Sequence, residues 1–352
     1  MHFVFSEDQL LFQKAVRDFL EGECPPERVR ALWEGDTARS PELWQKLAEL
    51  GIPGLLVPEA RGGMGMNEID AVLIHEEIGR AGLAEPLIST GAVAAPLLVE
   101  LGEPARADGW LERIAAGDAI AAVGHAASPL VADAHVAQLL LLAHGDEVHA
   151  VEPGDAVLVA QPANDPAQQL FRVTWKPREA TRLAAAAHGR ALLAAALDRG
   201  ALAAAAQLLG VADRLLAMAS TYACQRQQFG KPIGSFQAVK HMLANVKVAL
   251  EYARPVVHRA AHSVARGARG RAAHVSLGKL AAAEAAAQAA RTALQVHGAI
   301  GYTWEQDLHV WMRRAWSLGI AWGTNDFHRE RVAAAVLDPA ARLGPGTTFA
   351  GD

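Results

Sequence analysis

Three short segments carry the side chains best suited to chemistry. Tyr222-Ala-Cys-Gln-Arg-Gln-Gln-Phe-Gly-Lys-Pro-Ile-Gly-Ser-Phe-Gln237 holds Arg226 just ahead of Phe229 and Gly230. A guanidinium is a planar donor array that matches phosphate oxygens. Gln295-Val-His-Gly-Ala-Ile-Gly-Tyr302 ends a helix-like run at Gly298 and Gly301, offering an amide and turn N–H groups to a polar ring or ribose. Ile320-Ala-Trp-Gly-Thr-Asn-Asp-Phe-His-Arg-Glu330 sets Trp322 directly before Gly323 and Thr324. Glycine followed by threonine is a natural place to end one helix and cap the next. Gly298-Ala-Ile-Gly301 follows an alanine-rich helical run rather than a strand, so it is not a Rossmann fingerprint. The 14 histidines show no HExxH or paired-ligand spacing, and no metal is expected.

The elements that must position these residues fall into three textures, giving an α+β class that is mainly α. Residues 1–117 read as helical: Ser6 can cap, Leu10, Leu11, Phe12, Val16, Phe19 and Leu20 recur near the helical period, and Pro25-Pro26 ends the run. Pro41 to Gly51 is a second helix with proline at its start and glycine at its end, and Pro58-Glu-Ala-Arg-Gly-Gly-Met-Gly65 is a loop before a third. Residues 118–178 break into short apolar runs, Ala119–Val123, Ala137–Ala143, Ala156–Val159 and Leu170–Trp175, which predict a small β-domain too short for a large two-sheet sandwich. From Glu179 to the end, residues 179–352, the chain is again helical. Alanine runs such as Leu183–Ala187 and Leu280–Ala290 predict closely packed bundle helices and an oligomer interface. The helix bearing Arg226 is expected to end at Gly230 and restart near Ser235.

A chain of 352 residues with 51% hydrophobic and 20% charged residues can bury more than one core. No apolar run approaches the roughly 18 residues of a membrane span, so no membrane partner is expected. The start shows no basic n-region or cleavage site, and Cys24 and Cys224 form no disulfide framework; a reducing cytoplasm is the expected setting. The net charge of −5 argues against a general nucleic-acid binder. Between Arg226 and Arg271, however, nine Lys/Arg face the single acid Glu251, as a solvated basic helix face or a seat for an anion.

Taken together, these segments resemble the acyl-CoA dehydrogenase family. Phe5-Ser-Glu-Asp-Gln9, Leu43-Trp through Gly51, Pro58 to Gly63 and Glu76-Glu-Ile-Gly79 look like its N-terminal helical domain. The Arg-x-x-Phe-Gly segment and the Gln295 turn look like the parts that one subunit lends to a neighbour's FAD. The resemblance implies an N-terminal helical domain, a middle β-domain and a C-terminal four-helix bundle. It implies that Arg226 contacts the FAD diphosphate, that Phe229, Ile233 and Gln237 line the adenosine side, and that Gln295, His297, Gly298 and Ala299 turn over the adenine end. The family's usual second glycine is Ala299 here. Thr324 matches its flavin-contacting threonine.

The implied reaction is α,β-dehydrogenation of an acyl-CoA thioester, with a carboxylate removing the α-proton as hydride leaves for the flavin. The family's commonest base is a glutamate directly before Gly-Thr, where this chain has Trp322. Its alternative base, in a segment like Leu-Asp-x-Glu-Arg-Leu, corresponds to Leu197-Asp-Arg-Gly-Ala-Leu202, where Gly200 takes the glutamate's place. Neither residue accepts a proton. Asp198 is expected to cap or face solvent, and Asp326 to cap the final helix. The middle segment is shortened as well, with His125-Ala-Ala-Ser-Pro129 as the nearest match to the family's flavin-gripping pattern. The pattern resembles the short, base-less subunit of heteromeric acyl-CoA dehydrogenases, including those acting on sterol side chains, and implies a longer partner carrying the base. Two other readings stand beside it: a homo-oligomer with an atypical base, and a flavin-free structural or regulatory relative.

Overall fold

The computed structural model describes residues 4–35, 37–102, 109–341 and 344. The chain divides into two compact units, one of residues 1–30, 72–83 and 204–352, the other of 31–71 and 84–203. Helices dominate both, and the strands of two small sheets lie in the second, as the α+β, mainly α class requires.

Capping residues set the early helices. α1 (Glu7–Glu23) opens on a capping box in which Ser6 accepts from the Gln9 N–H and Gln9 reaches back to Ser6. After α2 (Pro26–Trp33), α3 (Pro41–Glu49) starts on an Ser40 cap with proline in its first turn, and Gly51 turns the chain out of it at φ 76°. α4 (Glu68–Ala81), α5 (Ala95–Glu100) and α6 (Trp110–Ala116) follow. A π-helix at Ile88–Ala94 leads into α5.

The β region forms two small sheets. In the first, β1 (Ala121–Gly124) and β3 (Leu139–His144) run parallel, β4 (Glu147–Val151) is antiparallel to β3, and β7 (Arg182–Ala184) closes the edge on β4. The second has the order β2 (Val131–Ala132), β6 (Leu170–Thr174), β5 (Val157–Gln161). Strands this short allow two sheets where a large sandwich could not form. Ala122, Leu140, Leu142 and Val151 of the first sheet share a core with Val131 and Phe171 of the second.

The C-terminal bundle consists of α7 (Ala186–Gln225), α8 (Gln237–Ala265), α9 (Arg271–His297), α10 (Leu308–Ile320) and α11 (Asn325–Val336). Its small residues permit close backbone approach. A Cβ at Gly79 of α4 would stand 1.9 Å from the Gln207 carbonyl oxygen, and one at Gly210 only 1.8 Å from that of Glu76. Around this crossing Arg17 pairs with Glu77 at 2.6 Å, Arg254 with Glu76 at 2.9 Å, and Arg80 with Asp213.

Four expectations are corrected. Leu183 and Ala184 are strand rather than helix, because pairing with β4 outweighs their helical propensity. Asp198 neither caps nor faces solvent: it is 2% exposed inside α7. The cap of α11 is Thr324, whose hydroxyl accepts from the Phe327 N–H, while Asp326 sits in the first turn and binds Arg329. Finally, α7 is long and apolar enough by length and composition to cross a membrane, and 72% of its most apolar window is buried inside the protein, as in a core helix.

Candidate functional site

α7 ends at Gln225, one residue before Arg226, rather than at Gly230. From there Gln227-Gln228 and Lys231-Pro232 pair as a two-stranded hairpin, and the Ile233 N–H donates to the Arg226 carbonyl at 2.8 Å. The tip is a left-handed turn: Phe229 has φ 52° and Gly230 φ 78°. A non-glycine residue adopts this region only when its surroundings hold it there. Phe229 is 91% exposed, touching Phe236 edge-on, while the Lys231 ammonium sits 4.5 Å over the Phe236 ring. Arg226 and Gln237 are exposed; Ile233 is half-buried.

The second segment closes α9. His297 is buried and its Nδ1 donates to the Ala293 carbonyl at 2.7 Å, while Gln295, Gly298 and Ala299 are exposed. Gly298 adopts φ 66°, ψ −142°, a conformation open only to glycine, and nothing approaches where a side chain would stand. The structure joins the two segments through a ring contact: Tyr222, one turn before Arg226, stacks on His297 with centroids 4.4 Å apart and planes at 24°. The Arg226 hairpin and the Gln295 turn therefore leave the same end of the bundle. An exposed guanidinium, two exposed carboxamides, turn N–H groups and an exposed aromatic ring form one patch with the chemistry for a phosphate and a planar heterocycle.

The third segment is held from below. Trp322 has φ 58° and is 8% exposed; Gly323 follows at φ 108°, where a Cβ would stand 2.6 Å from the Phe327 ring and 2.8 Å from His328 Nε2. His328, fully buried, donates from Nε2 to the Trp322 carbonyl at 3.1 Å, and its Nδ1 lies 3.0 Å from Ser276 Oγ. A carbonyl only accepts, so the ring proton is on Nε2 and Nδ1 accepts from the serine hydroxyl. Burial lowers the His328 pKa to about 4, keeping the ring neutral. Thr324 is exposed, and with its oxygen accepting in the cap its hydroxyl hydrogen is left to donate outward. Gly200 lies within α7, in the other unit.

Sequence reasoning reaches the exposed residues and misses Tyr222, Ser276 and His328, which hold the turns that carry them. The ring pair spans 75 positions of sequence, and Ser276 sits in an alanine-rich helix whose composition alone explains it. A histidine four residues after a threonine cap is the one local hint.

The acyl-CoA dehydrogenase N-terminal domain model matches residues 6–118, and the C-terminal domain model matches residues 187–337. Acyl-CoA dehydrogenase IpdE2 of Mycobacterium tuberculosis is 32% identical over 88% of this chain and 91% of its own length; its namesake from Mycolicibacterium smegmatis is 34% identical over 88% and 93%. The chain belongs to the acyl-CoA dehydrogenase family. Its fold also matches a chain of the ChsE4-ChsE5 complex from Mycobacterium tuberculosis, with TM-score 0.84 and 26% identity over 97% of this chain and 100% of that one. The FAD complex of PigA shares the fold with TM-score 0.86 and 22% identity over 96% and 99%. Acyl-CoA dehydrogenases are FAD-dependent oxidoreductases. Both family models fall on helical segments, and the stretch between them, residues 119–186, holds all the strands of the two sheets.

Proposed function

We propose that this chain is the base-less subunit of an FAD-dependent acyl-CoA dehydrogenase, lending half of an FAD site to a longer partner subunit that brings the catalytic glutamate. The observation that carries this reading is a contrast. The Arg226 hairpin and the Gln295 turn are kept, exposed and coupled through Tyr222 and His297, while the base positions hold Trp322 and Gly200. A chain using only its own pocket has no need to project a 91% exposed phenylalanine beside an arginine.

In this assembly Arg226 binds the diphosphate, and Phe229, Ile233 and Gln237 flank the adenosine. Gln295, Gly298 and Ala299 close over the adenine end, with His297 anchoring the turn. Thr324 donates its hydroxyl hydrogen toward the flavin. These residues fit the dinucleotide half of the cofactor: a fork of N–H donors for phosphate, carboxamides and N–H groups for ribose and ring edges. When bound, FAD supplies the hydride acceptor for α,β-dehydrogenation of the acyl-CoA thioester. Neither base position, Trp322 or Gly200, holds a proton acceptor for that step. Its contribution is binding and orientation. The likeness to one chain of the two-component ChsE4-ChsE5 complex supports the heteromeric arrangement. We propose an α2β2 assembly in the cytoplasm with a sterol-type side-chain acyl-CoA as substrate, and functional segments at 1–117, 118–178 and 179–352.

The test is Arg226→Ala in the co-expressed complex. Charge-assisted hydrogen bonds to a diphosphate contribute roughly 1.5–3 kcal/mol, so FAD affinity is expected to fall about tenfold or more at matched oligomeric state. Arg226→Lys recovers only part, having the charge without the fork. Unchanged affinity in the alanine variant removes the shared site.

A further inference from the structure

Lys279 is the one lysine among the described residues buried to 0% exposure, and the reading above gives it no role. Its Nζ lies inside the bundle on α9, 2.9 Å from the Leu318 carbonyl oxygen and 2.8 Å from that of Gly319. Both carbonyls belong to the last turn of α10, where intrahelical donors run out and oxygens are left to find partners. A cation there also meets the negative end of the helix dipole. Burial lowers the Lys279 pKa to about 7, the cost of placing an amine where no carboxylate compensates it. A methylene chain ending in a methyl group would fill the same space without that cost. In return the amine donates to two carbonyls at the helix end, a buried contact at Leu318 and a partly buried one at Gly319.

One helical turn earlier on the same face of α9, Ser276 holds His328, and His328 holds the Trp322 carbonyl. Arg331 also donates to Ser276 Oγ at 3.2 Å. The carbonyls of residues 318, 319 and 322 are thus pinned from α9 and α11, and between them the chain turns sharply enough to hold Trp322 and Gly323 at positive φ. What emerges from this turn is Thr324. We propose that Lys279 is a positioning residue that clamps the end of α10 and so sets Thr324 where the shared FAD site requires it. The proposal rests on the shared-site reading for its consequence, but the clamp itself belongs to this chain.

Lys279→Met keeps length and apolar bulk and removes the donors. Two measurements are made on the co-expressed complex and on the apo chain at a temperature where both remain folded. In the apo chain, amide hydrogen exchange across residues 318–325 should accelerate at least tenfold, while exchange at the Tyr222–His297 end stays unchanged. In the complex, the FAD dissociation constant should rise about tenfold, the loss expected when a hydrogen-bonding group is misplaced. The loss in the Lys279→Met, Thr324→Val double variant should be smaller than the product of the single losses, since both act through one hydroxyl. If the methionine chain does not assemble, Lys279→Gln, which retains an N–H donor on a shorter stem, is read in the same assays and should show smaller changes of the same sign. Wild-type exchange at 318–325 overturns the proposal whatever FAD does. Faster exchange with wild-type FAD affinity, in a complex that Arg226→Ala still strips of FAD, also overturns it. If Arg226→Ala retains FAD too, the shared site is wrong and the positioning role falls with it.

Discussion

Trp322 shows how much one side chain can withhold. Its backbone occupies the turn where the family resemblance leads one to expect the base, complete with glycine, capping threonine and a histidine strut, but an indole cannot take a proton. Trp322→Glu in the isolated chain is expected to give no acyl-CoA dehydrogenation above background in a dye-reduction assay. A carboxylate alone does not supply the flavin-gripping pattern that the family resemblance implies and from which the middle segment departs, and catalysis depends on reactants held together. Glu85 offers a second measurement. It is 5% exposed, Ser40 donates its backbone N–H to it, and burial raises its pKa from 4.5 to about 7. A raised carboxyl pKa means stability present below pH 4.5 and lost as pH climbs through about 7. Glu85→Gln should therefore gain stability over wild type at pH 8 relative to pH 4.5, by up to about 3 kcal/mol in urea melts. His75 and His328, each lowered by burial to about 4, work the other way and cost stability as pH falls through 6.5 toward 4. Subtracting the two melts isolates Glu85 from both.

Among the elements, the crossing of α4 and α7 is the tightest described, and Gly79 and Gly210 permit it. Either glycine changed to alanine puts a methyl group inside the van der Waals radius of a backbone carbonyl, which no rotamer relieves. Gly210→Ala should destabilise by about 1–3 kcal/mol or more in thermal or urea unfolding, whereas Gly62→Ala in the Pro58 loop meets no neighbour and costs only the strain of its positive φ. Glu76-Glu-Ile-Gly79 is visible in the sequence as a motif, but its reason is tertiary: two carboxylates paired to α1 and α8, and a glycine under Gln207. Local signals did better where local physics decides. The Ser6 cap, the start of α3 at Pro41 and the apolar run of β3 are legible because capping and burial act within a few residues. β4, with Glu147 and His149 among its five residues, is not legible, because only the pairing of Leu140 to His144 beside it makes those residues a strand. The candidate site divides in the same way. Arg226 and the Gln295 turn are local motifs, while the struts beneath Trp322 depend on positions 46 and 52 residues apart in sequence.

For the whole molecule, the visible spectrum is the simplest reading of the assembly. Purified alone, the chain should be nearly colourless; purified with a full-length relative that carries the glutamate, it should return with yellow flavin absorbance near one FAD per shared site. Strong yellow in the chain alone would instead favour a homo-oligomer. The stack of Tyr222 on His297 bears on a different kind of experiment. Because the Arg226 hairpin and the Gln295 turn leave the bundle bound to each other by the rings of Tyr222 and His297, they behave as one exchangeable cassette. A chimera that transplants the Arg226 hairpin into a homologue without the matching helix end at His297 would bring a tyrosine face with no ring to lie on. Subunit shuffling between related enzymes should therefore succeed only when both segments come from the same parent.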